Sequence, residues 1–204
     1  MTFLGDFNQS LNPYTKNDIT GMLKIFPYAD LVCLNNSYRS TYEIVNFAQK
    51  IFYNKDLIAI ERHGELPVIQ SFNNSNDEIE EIIKRARGFC DNKKYSSLAI
   101  ICKNDTELFF LSEKFKKQNV DIYLLDSNCT TFSNGVILTN AYLSKGLEFD
   151  SVIIPFVNKS NYKNDIDRSM LYISCTRAMH QLVITHTDEI SPIIKNGISE
   201  KHRE

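Results

Sequence analysis

The stretch Leu143-Ser-Lys-Gly-Leu-Glu-Phe-Asp-Ser-Val-Ile-Ile154 indicates the fold class and contains the first candidate site. Its first half is polar and contains a glycine, whereas its second half is an apolar run that ends at Pro155. This order predicts a loop that leads into a buried strand. Gly146 permits a close backbone approach or a positive φ, and Lys145 and Glu148 beside it supply a cation and an acceptor. The stretch is therefore either a binding loop at the edge of a buried sheet or an ordinary turn with an exposed ion pair.

Outward from this stretch, short apolar runs alternate with segments whose apolar residues recur at helical spacing. Continuous apolar runs are typical of strands buried on both faces, and helices between them favour parallel pairing. We therefore predict an α/β fold with three layers and a mostly parallel sheet. The predicted strands are Met1–Leu4 (the end of a strand), Leu31–Leu34, Leu66–Phe72, Ser97–Cys102, Val120–Leu125, Gly135–Leu143, Phe149–Val157 and Gln181–Thr185. The predicted helices are a segment capped by Ser40 or Thr41 that runs to Phe52, Asp77–Phe89, Glu107–Gln118 and Asp165–Ala178, and Ile58–Pro67 is predicted to be an exposed loop.

Composition limits the classes of function. A chain of 204 residues with 43% hydrophobic and 24% charged residues forms a globular core and excludes a disordered protein. The formal net charge of −2 argues against a globally basic nucleic-acid binder but leaves room for a local groove. Five cysteines without CxxC spacing favour reduced thiols over disulfides or a metal site, and no metal ligands are predicted. There is no membrane span or signal pattern, so we expect a cytoplasmic protein.

Several polar segments lie at the carboxyl ends of predicted strands or at the starts of the adjoining helices, where α/β proteins place their sites. They are Gly5–Gln9, Arg39, Lys103–Thr106 and Lys145–Glu148. Arg39 precedes a helix, which is an unfavourable place for a cation unless an anion binds there or a carboxylate pairs with it. Arg177 ends a predicted helix, where it either serves a site or simply complements the helix dipole.

Four of these segments resemble motifs of superfamily 1 helicases of the UvrD/Rep type, in the same order along the chain. Gly5-Asp-Phe-Asn-Gln9 resembles motif III, and Asn36-Ser-Tyr-Arg-Ser-Thr41 resembles motif IV. Ser144-Lys-Gly-Leu-Glu-Phe-Asp150 resembles motif V, and Leu171-Tyr-Ile-Ser-Cys-Thr-Arg-Ala178 resembles motif VI. The resemblance implies that residues 1–30 form the end of a first RecA-like domain with a linker. Residues 31–204 would then form the second RecA-like domain of an ATP-dependent DNA helicase or translocase.

The resemblance also implies roles for individual residues in a site for ATP and Mg²⁺. Gln9 would sense the γ-phosphate, and Arg39 and Arg177 would reach it as arginine fingers. Glu148 would accept from the ribose hydroxyl, with Gly146 allowing close approach. Contacts to single-stranded or duplex DNA are expected from Tyr142, Ser144 and Lys145.

Two departures qualify this expectation. Motif V of the family usually opens with Thr and His, whereas Asn140 and Tyr142 stand here, so Tyr142 would have to stack on a base instead. The sequences of residues 142–150 and 35–41 are similar to those of the HelD/helicase IV branch, some members of which act on RNA polymerase. The sequence also contains no Gly-x-x-x-x-Gly-Lys-Ser/Thr, and it has no Asp-Glu pair before Gly5.

The chain therefore carries half of a nucleotide site, and we expect no ATP hydrolysis or unwinding from it alone. Its expected partners are DNA and the N-terminal RecA-like domain of the same helicase. The alternative is a non-catalytic module that docks on RNA polymerase or another protein. A third reading is an α/β domain that is independent of nucleotide.

Overall fold

A computed structural model describes residue 2 and residues 19–91, 94–126 and 134–199. In chain order the elements are α1 (Ile19–Ile25), β1 (Asn36–Ser37), α2 (Tyr42–Ile51), β2 (Ile58–Ala59), β3 (Val68–Phe72), α3 (Ser75–Asp91), β4 (Ser97–Cys102), α4 (Asp105–Lys117), β5 (Tyr123–Leu124), β6 (Gly135–Asn140), β7 (Phe149–Ile154), α5 (Asp165–Cys175), β8 (Ala178–Thr187) and α6 (Pro192–Ser199). Strands β3 to β8 form one sheet in the order β3-β8-β7-β4-β6-β5, with every pair parallel. The predicted mostly parallel α/β sheet is therefore confirmed.

Helices cover both faces of this sheet. Helices α3 and α4 pack on one face against residues such as Leu98 and Ile100. Helices α2, α5 and α6 pack on the other face against residues such as Ala99 and Ile101. Successive residues of a strand point to opposite faces of the sheet, and helices cover both faces. All six residues of β4 are therefore buried, as the continuous apolar run predicts. The three-layer prediction is confirmed.

The predicted strand at Leu31–Leu34 is wrong. These residues belong to no helix or strand, and Leu31, Val32 and Leu34 are exposed. Only Asn36–Ser37, just after them, pairs with another strand, in a separate two-stranded sheet with β2. An apolar run becomes a strand only where a neighbouring strand pairs with its backbone, and among the described residues no strand pairs with Leu31–Leu34.

Two strand ends differ from the predicted ones for local reasons. Strand β6 stops at Asn140 because that side chain accepts a hydrogen bond from the Leu143 backbone amide at 2.8 Å and starts a turn. Strand β7 stops at Ile154, directly before Pro155, which has no amide to donate to a ladder. Helix α5 ends at Cys175, and the next strand begins at Ala178, three residues before the predicted Gln181.

Candidate functional site

The loop before β7 contacts the segment before α2 through an ion pair. Arg39 Nε donates to Glu148 Oε2 at 2.7 Å, and the two side chains are 38% and 54% exposed. Arg39 thus has the carboxylate partner that its position beside a helix N-terminus requires. An exposed pair of this kind contributes about 0.2–1 kcal/mol, so a ligand can displace it at small cost.

Gly146 gives the loop its shape. Its φ is +87°, in the left-handed region, and a β-carbon added there would meet nothing within 4 Å. The glycine is therefore needed for its backbone conformation and not for a close contact in this structure. The turn before it is held by Ser144, whose buried hydroxyl donates to the Ala141 carbonyl at 3.0 Å.

Arg177 lies on the other side of this loop, between α5 and β8. It is 1% exposed, and its Nη1 donates to the Leu147 carbonyl at 3.0 Å. Its Nε donates to the Ile173 carbonyl in the last turn of α5 at 3.2 Å. The carbonyls at a helix C-terminus carry partial negative charge, which stabilises this buried cation. Arg39 and Arg177 therefore contact adjacent residues of one loop, Glu148 and Leu147.

This cluster, which we call the amino-edge cluster, consists of Arg39, Gly146, Glu148 and Arg177. Glu148 precedes β7 and Arg177 precedes β8, so the cluster lies where these strands begin. Arg39 follows β1 and precedes α2, and Lys145 lies on the turn after the carboxyl end of β6, as expected, whereas Glu148 lies at the opposite edge, directly before β7. Strands β6 and β7 are both parallel to β4, so the chain leaves the carboxyl end of β6 and returns to the opposite edge of the sheet to enter β7.

Three residues beside the cluster were not predicted as part of a site. The Ser40 hydroxyl donates to the Ala178 carbonyl at 2.5 Å, and the Thr41 amide donates to the Met179 carbonyl at 3.2 Å. Arg62 Nη2 donates to the carbonyls of both Arg39 and Met179. Ser40 and Thr41 were predicted only as helix caps, and Arg62 was predicted to be exposed in a loop, although it is half-buried.

The space beside Arg39 is small. A cavity of about 110 Å³ is lined by Ser37, Arg39, Ser40, Tyr172 and Thr176 among others. Sites that enclose a whole ligand of drug size have about 300–1,000 Å³, so this surface forms one wall of such a site at most. A larger cleft of about 370 Å³ lies on the α3 face of the sheet, away from the cluster.

The other predicted site segment, Lys103–Thr106, lies at the carboxyl end of β4; Asn104, Asp105 and Thr106 are exposed, whereas the Lys103 side chain is largely buried. Lys103 Nζ is 2.6 Å from Asp167 Oδ1 and donates to the Asn161 carbonyl at 2.5 Å. Asn161 Nδ2 in turn donates to Glu107 Oε1 at 2.7 Å, and burial raises the pKa of Glu107. This network joins α4 to the start of α5, so Lys103 serves the fold and not an open site.

The remaining predicted site residues are placed as follows. Gln9 lies outside the described residues. Tyr142 is 49% exposed and Lys145 is exposed, both on the turn after β6, while Ser144 is buried. Ser144 therefore positions the turn, and its hydroxyl does not face a ligand. Within residues 19–91, 94–126 and 134–199, no group of His, Cys, Asp and Glu could hold a metal ion.

Comparison with known proteins identifies the family. The sequence matches the UvrD-like helicase C-terminal domain over residues 32–137, and a second model of that description matches residues 135–185. The chain belongs to the UvrD-like helicase C-terminal domain family. No helix in the described part of this family member is long and apolar enough to cross a membrane.

Relatives and a solved structure agree with this membership. The chain is 31% identical over 130 residues to the ATP-dependent DNA helicase PcrA of Staphylococcus aureus (strain Mu50), an alignment of 57% of this chain and 17% of that protein. It is 29% identical over 130 residues to PcrA of Staphylococcus epidermidis (strain ATCC 35984), with the same coverage. The crystal structure of the C-terminal domain of a possible DNA helicase from Lactobacillus plantarum WCFS1 matches with a TM-score of 0.67 and 29% identity, covering 78% of this chain and 93% of that one. The chain thus spans about a sixth of the length of the curated relatives it matches.

Proposed function

We propose that this UvrD-like C-terminal domain is the second RecA-like half of an ATP-dependent DNA helicase or translocase. The observation that supports this proposal is the amino-edge cluster, where Arg39 and Arg177 contact adjacent residues of one glycine-containing loop. Two guanidinium groups at one edge suit a phosphate chain, because each binds phosphate with paired donors and keeps its charge.

In this proposal the side chains of the cluster bind the two ends of the nucleotide. Arg39 binds the γ-phosphate after leaving Glu148, and Glu148 then accepts a hydrogen bond from the ribose hydroxyl. A second domain closes on this edge and completes the site. On closure the Arg177 guanidinium leaves the carbonyls of Leu147 and Ile173 and reaches the γ-phosphate. Phosphoryl transfer needs positioning and positive charge above all, and an arginine finger contributes about 10³–10⁵ in rate.

The second domain is a P-loop domain, which we propose is the N-terminal RecA-like domain of the same helicase. It would hold Mg²⁺, and the metal would neutralise phosphate charge during transfer. Residues 31–204 then act as the second domain, and residues 1–30, including Gln9, connect it to the first. ATP between the domains would pull them together through the arginines, and hydrolysis would release them.

The nucleic acid would contact the turn after β6. Tyr142 would stack on a base and Lys145 would pair with a phosphate, since both side chains are exposed there. Ser144 would act indirectly by holding this turn. Alternating grip by the two domains would convert closure into steps along single-stranded or duplex DNA.

ATP turnover tests the proposal. The chain alone should not hydrolyse ATP, whereas the chain joined to its P-loop domain should do so in the presence of single-stranded DNA. Arg39→Ala and Arg177→Ala should each lower kcat by about 10³ or more, and Arg87→Ala, an exposed arginine of α3, should not. Unchanged turnover in both cluster variants would favour the competing proposal, a module that docks on RNA polymerase or another protein without catalysis.

A further inference from the structure

Arg62 connects the two segments that carry the proposed arginine fingers. It lies between β2 and β3, outside the four motifs, and its Nη2 donates to the carbonyl of Arg39 and to that of Met179 at 3.2 Å. Met179 is two residues after Arg177 in the chain. One guanidinium therefore holds the backbone of one finger and the backbone beside the other.

The bridged carbonyls lie where the sheet leaves an edge open. Strand β3 pairs with β8 only from Val183 onward, so the first residues of β8 have no β3 neighbour. The segment Arg39–Thr41 occupies this edge, with the Thr41 amide donating to the Met179 carbonyl at 3.2 Å and the Ser40 hydroxyl to the Ala178 carbonyl at 2.5 Å. These two bonds hold Ser40 and Thr41, and Arg62 adds an attachment at the backbone of Arg39 itself, whose side chain pairs with Glu148.

The loop of Arg62 is itself fixed to the start of α2. The Tyr42 amide donates to the Arg62 carbonyl at 2.9 Å. One residue on, His63 Nδ1 lies 2.8 Å from Glu43 Oε1, and the Gly64 amide donates to Glu43 Oε2 at 2.8 Å. The guanidinium therefore reaches the two carbonyls from a base that cannot shift independently of Arg39.

Arg62 contacts backbone groups and not carboxylates. Its Nε is buried and has no hydrogen-bond partner, and among the described residues no carboxylate pairs with it. The Arg62 guanidinium therefore makes its hydrogen bonds to backbone carbonyls, those of Arg39 and Met179, and it holds backbone in place without an ion pair.

We infer that Arg62 is a positioning residue that fixes the separation and direction of Arg39 relative to Arg177. This inference rests on the proposed function, because it assigns Arg62 a purpose only if the two arginines act on one phosphate. A displacement of about 1 Å at a reacting group can lower a rate by about 10²-fold. Loss of the bridge should therefore affect kcat more than the binding of ATP.

The test uses steady-state ATP hydrolysis by the chain joined to its P-loop domain, with saturating single-stranded DNA. Arg62→Met removes the donors at similar side-chain length, and Arg62→Lys restores a cation that can donate to both carbonyls. Arg85→Met is the matched control, since Arg85 is a partly exposed arginine that pairs with Glu81 on α3. We expect Arg62→Met to lower kcat by about 10-fold to 100-fold with KM for ATP changed less than about threefold. Arg62→Lys should recover most of kcat, and Arg85→Met should resemble the unchanged protein.

Folding is checked in the same variants by hydrogen exchange of the Thr41 amide and by urea unfolding. Faster Thr41 exchange in Arg62→Met, with the folded fraction unchanged under assay conditions, supports the inference. A kcat that falls only in proportion to the folded fraction overturns it. Full activity of Arg62→Met while Arg39→Ala and Arg177→Ala are inactive also overturns it, and leaves the finger assignment intact. Full activity of Arg39→Ala and Arg177→Ala instead overturns the proposed function, and the inference with it.

Discussion

Arg39 and Glu148, 109 positions apart in the chain, form an ion pair of 2.7 Å at the edge where β7 and β8 begin. In the proposed site these two side chains bind different ends of a nucleotide, the γ-phosphate and the ribose. The ion pair and the bound nucleotide therefore exclude each other. Because both side chains are more than a third exposed, the pair is weak enough for the nucleotide to replace it.

The role proposed for Glu148 predicts selectivity for the ribose hydroxyls. A hydrogen bond to a charged acceptor contributes about 1.5–3 kcal/mol, so the assembled enzyme should bind ATP at least about tenfold more tightly than dideoxy-ATP. Glu148→Ala should lower this preference to less than about twofold. Competition binding with both nucleotides measures it, and Glu189→Ala, an exposed carboxylate that pairs with Lys159 and Lys195, is the control. A preference retained by Glu148→Ala would remove the ribose assignment.

Substitution of alanine for glycine should change the free energy of unfolding in opposite directions at Gly146 and Gly88. Gly146→Ala places a side chain at φ +87° and should lower the free energy of unfolding by about 1 kcal/mol. Gly88→Ala, inside α3 with nothing within 4 Å of the added carbon, should raise it by about 0.5–1 kcal/mol. Urea unfolding of the 204-residue chain measures both. Equal effects of the two substitutions would contradict the left-handed conformation of Gly146.

The Lys103–Asp167 pair should contribute stability that depends on pH. Burial alone would raise the pKa of Asp167, but Lys103 and the amides of Lys163 and Asn164 outweigh it and hold the pKa below its ordinary value. Asp167 therefore stabilises the fold above the unfolded pKa of about 3.9, and this contribution is lost as pH falls through the lower folded pKa. Asp167→Asn should cost about 3 kcal/mol at pH 7, because it leaves Lys103 without its buried partner.

Unfolding at several pH values checks that sign. The difference in free energy of unfolding between the unchanged chain and Asp167→Asn should stay constant from about pH 8 to about pH 5. It should become smaller below about pH 4. Asp165→Asn, an exposed carboxylate in the same helical turn, should cost less than about 0.5 kcal/mol throughout. A difference that grows as the pH falls would show that Asp167 is not held as a carboxylate.

The DNA contact proposed for the exposed turn after β6 predicts different effects of substitutions at Tyr142 and Lys145. Tyr142→Ala should weaken binding of single-stranded DNA by about 1–3 kcal/mol without changing its salt dependence. Lys145→Ala should weaken binding and reduce the slope of log K against log salt by about 0.7. Titrations at several salt concentrations measure both in the assembled enzyme. Tyr53→Ala and Lys55→Ala, exposed after α2, are controls, and equal losses in all four variants would contradict contact at this turn.

The layers of the fold were predictable from the sequence because buried parallel strands leave continuous apolar runs, as in β4 and β7. The edge on which Glu148 lies follows from parallel pairing, because a connection between two parallel strands starts at the carboxyl edge of the sheet and ends at the amino edge. The approach of Arg39 and Arg177 to that edge depends on strand order and tertiary packing, about which periodicity carries no information. Motif resemblance selected Arg39, Glu148 and Arg177, which the structure brings to one loop, but it gave no sign that Arg177 is buried. Assignment to the HelD branch stays a prediction.

Arg62 and Lys103 show why single residues are hard to assign from sequence. Both are cations in polar loop sequence, where an exposed position is the ordinary expectation. Arg62 reaches two backbone carbonyls, and Lys103 reaches Asp167, which is 64 positions further along the chain. Partners as distant as these are defined by tertiary packing and leave no local pattern.

Action of Arg39 and Arg177 on the γ-phosphate is tested by comparing the affinities for a non-hydrolysable ATP analogue and for ADP. These nucleotides differ in the γ-phosphate. In the chain joined to its P-loop domain, we predict that the ratio of the two affinities falls by at least about tenfold in Arg39→Ala and in Arg177→Ala, since a charge-assisted hydrogen bond contributes about 1.5–3 kcal/mol. A ratio that stays the same in both variants would show that the amino-edge cluster does not contact the γ-phosphate.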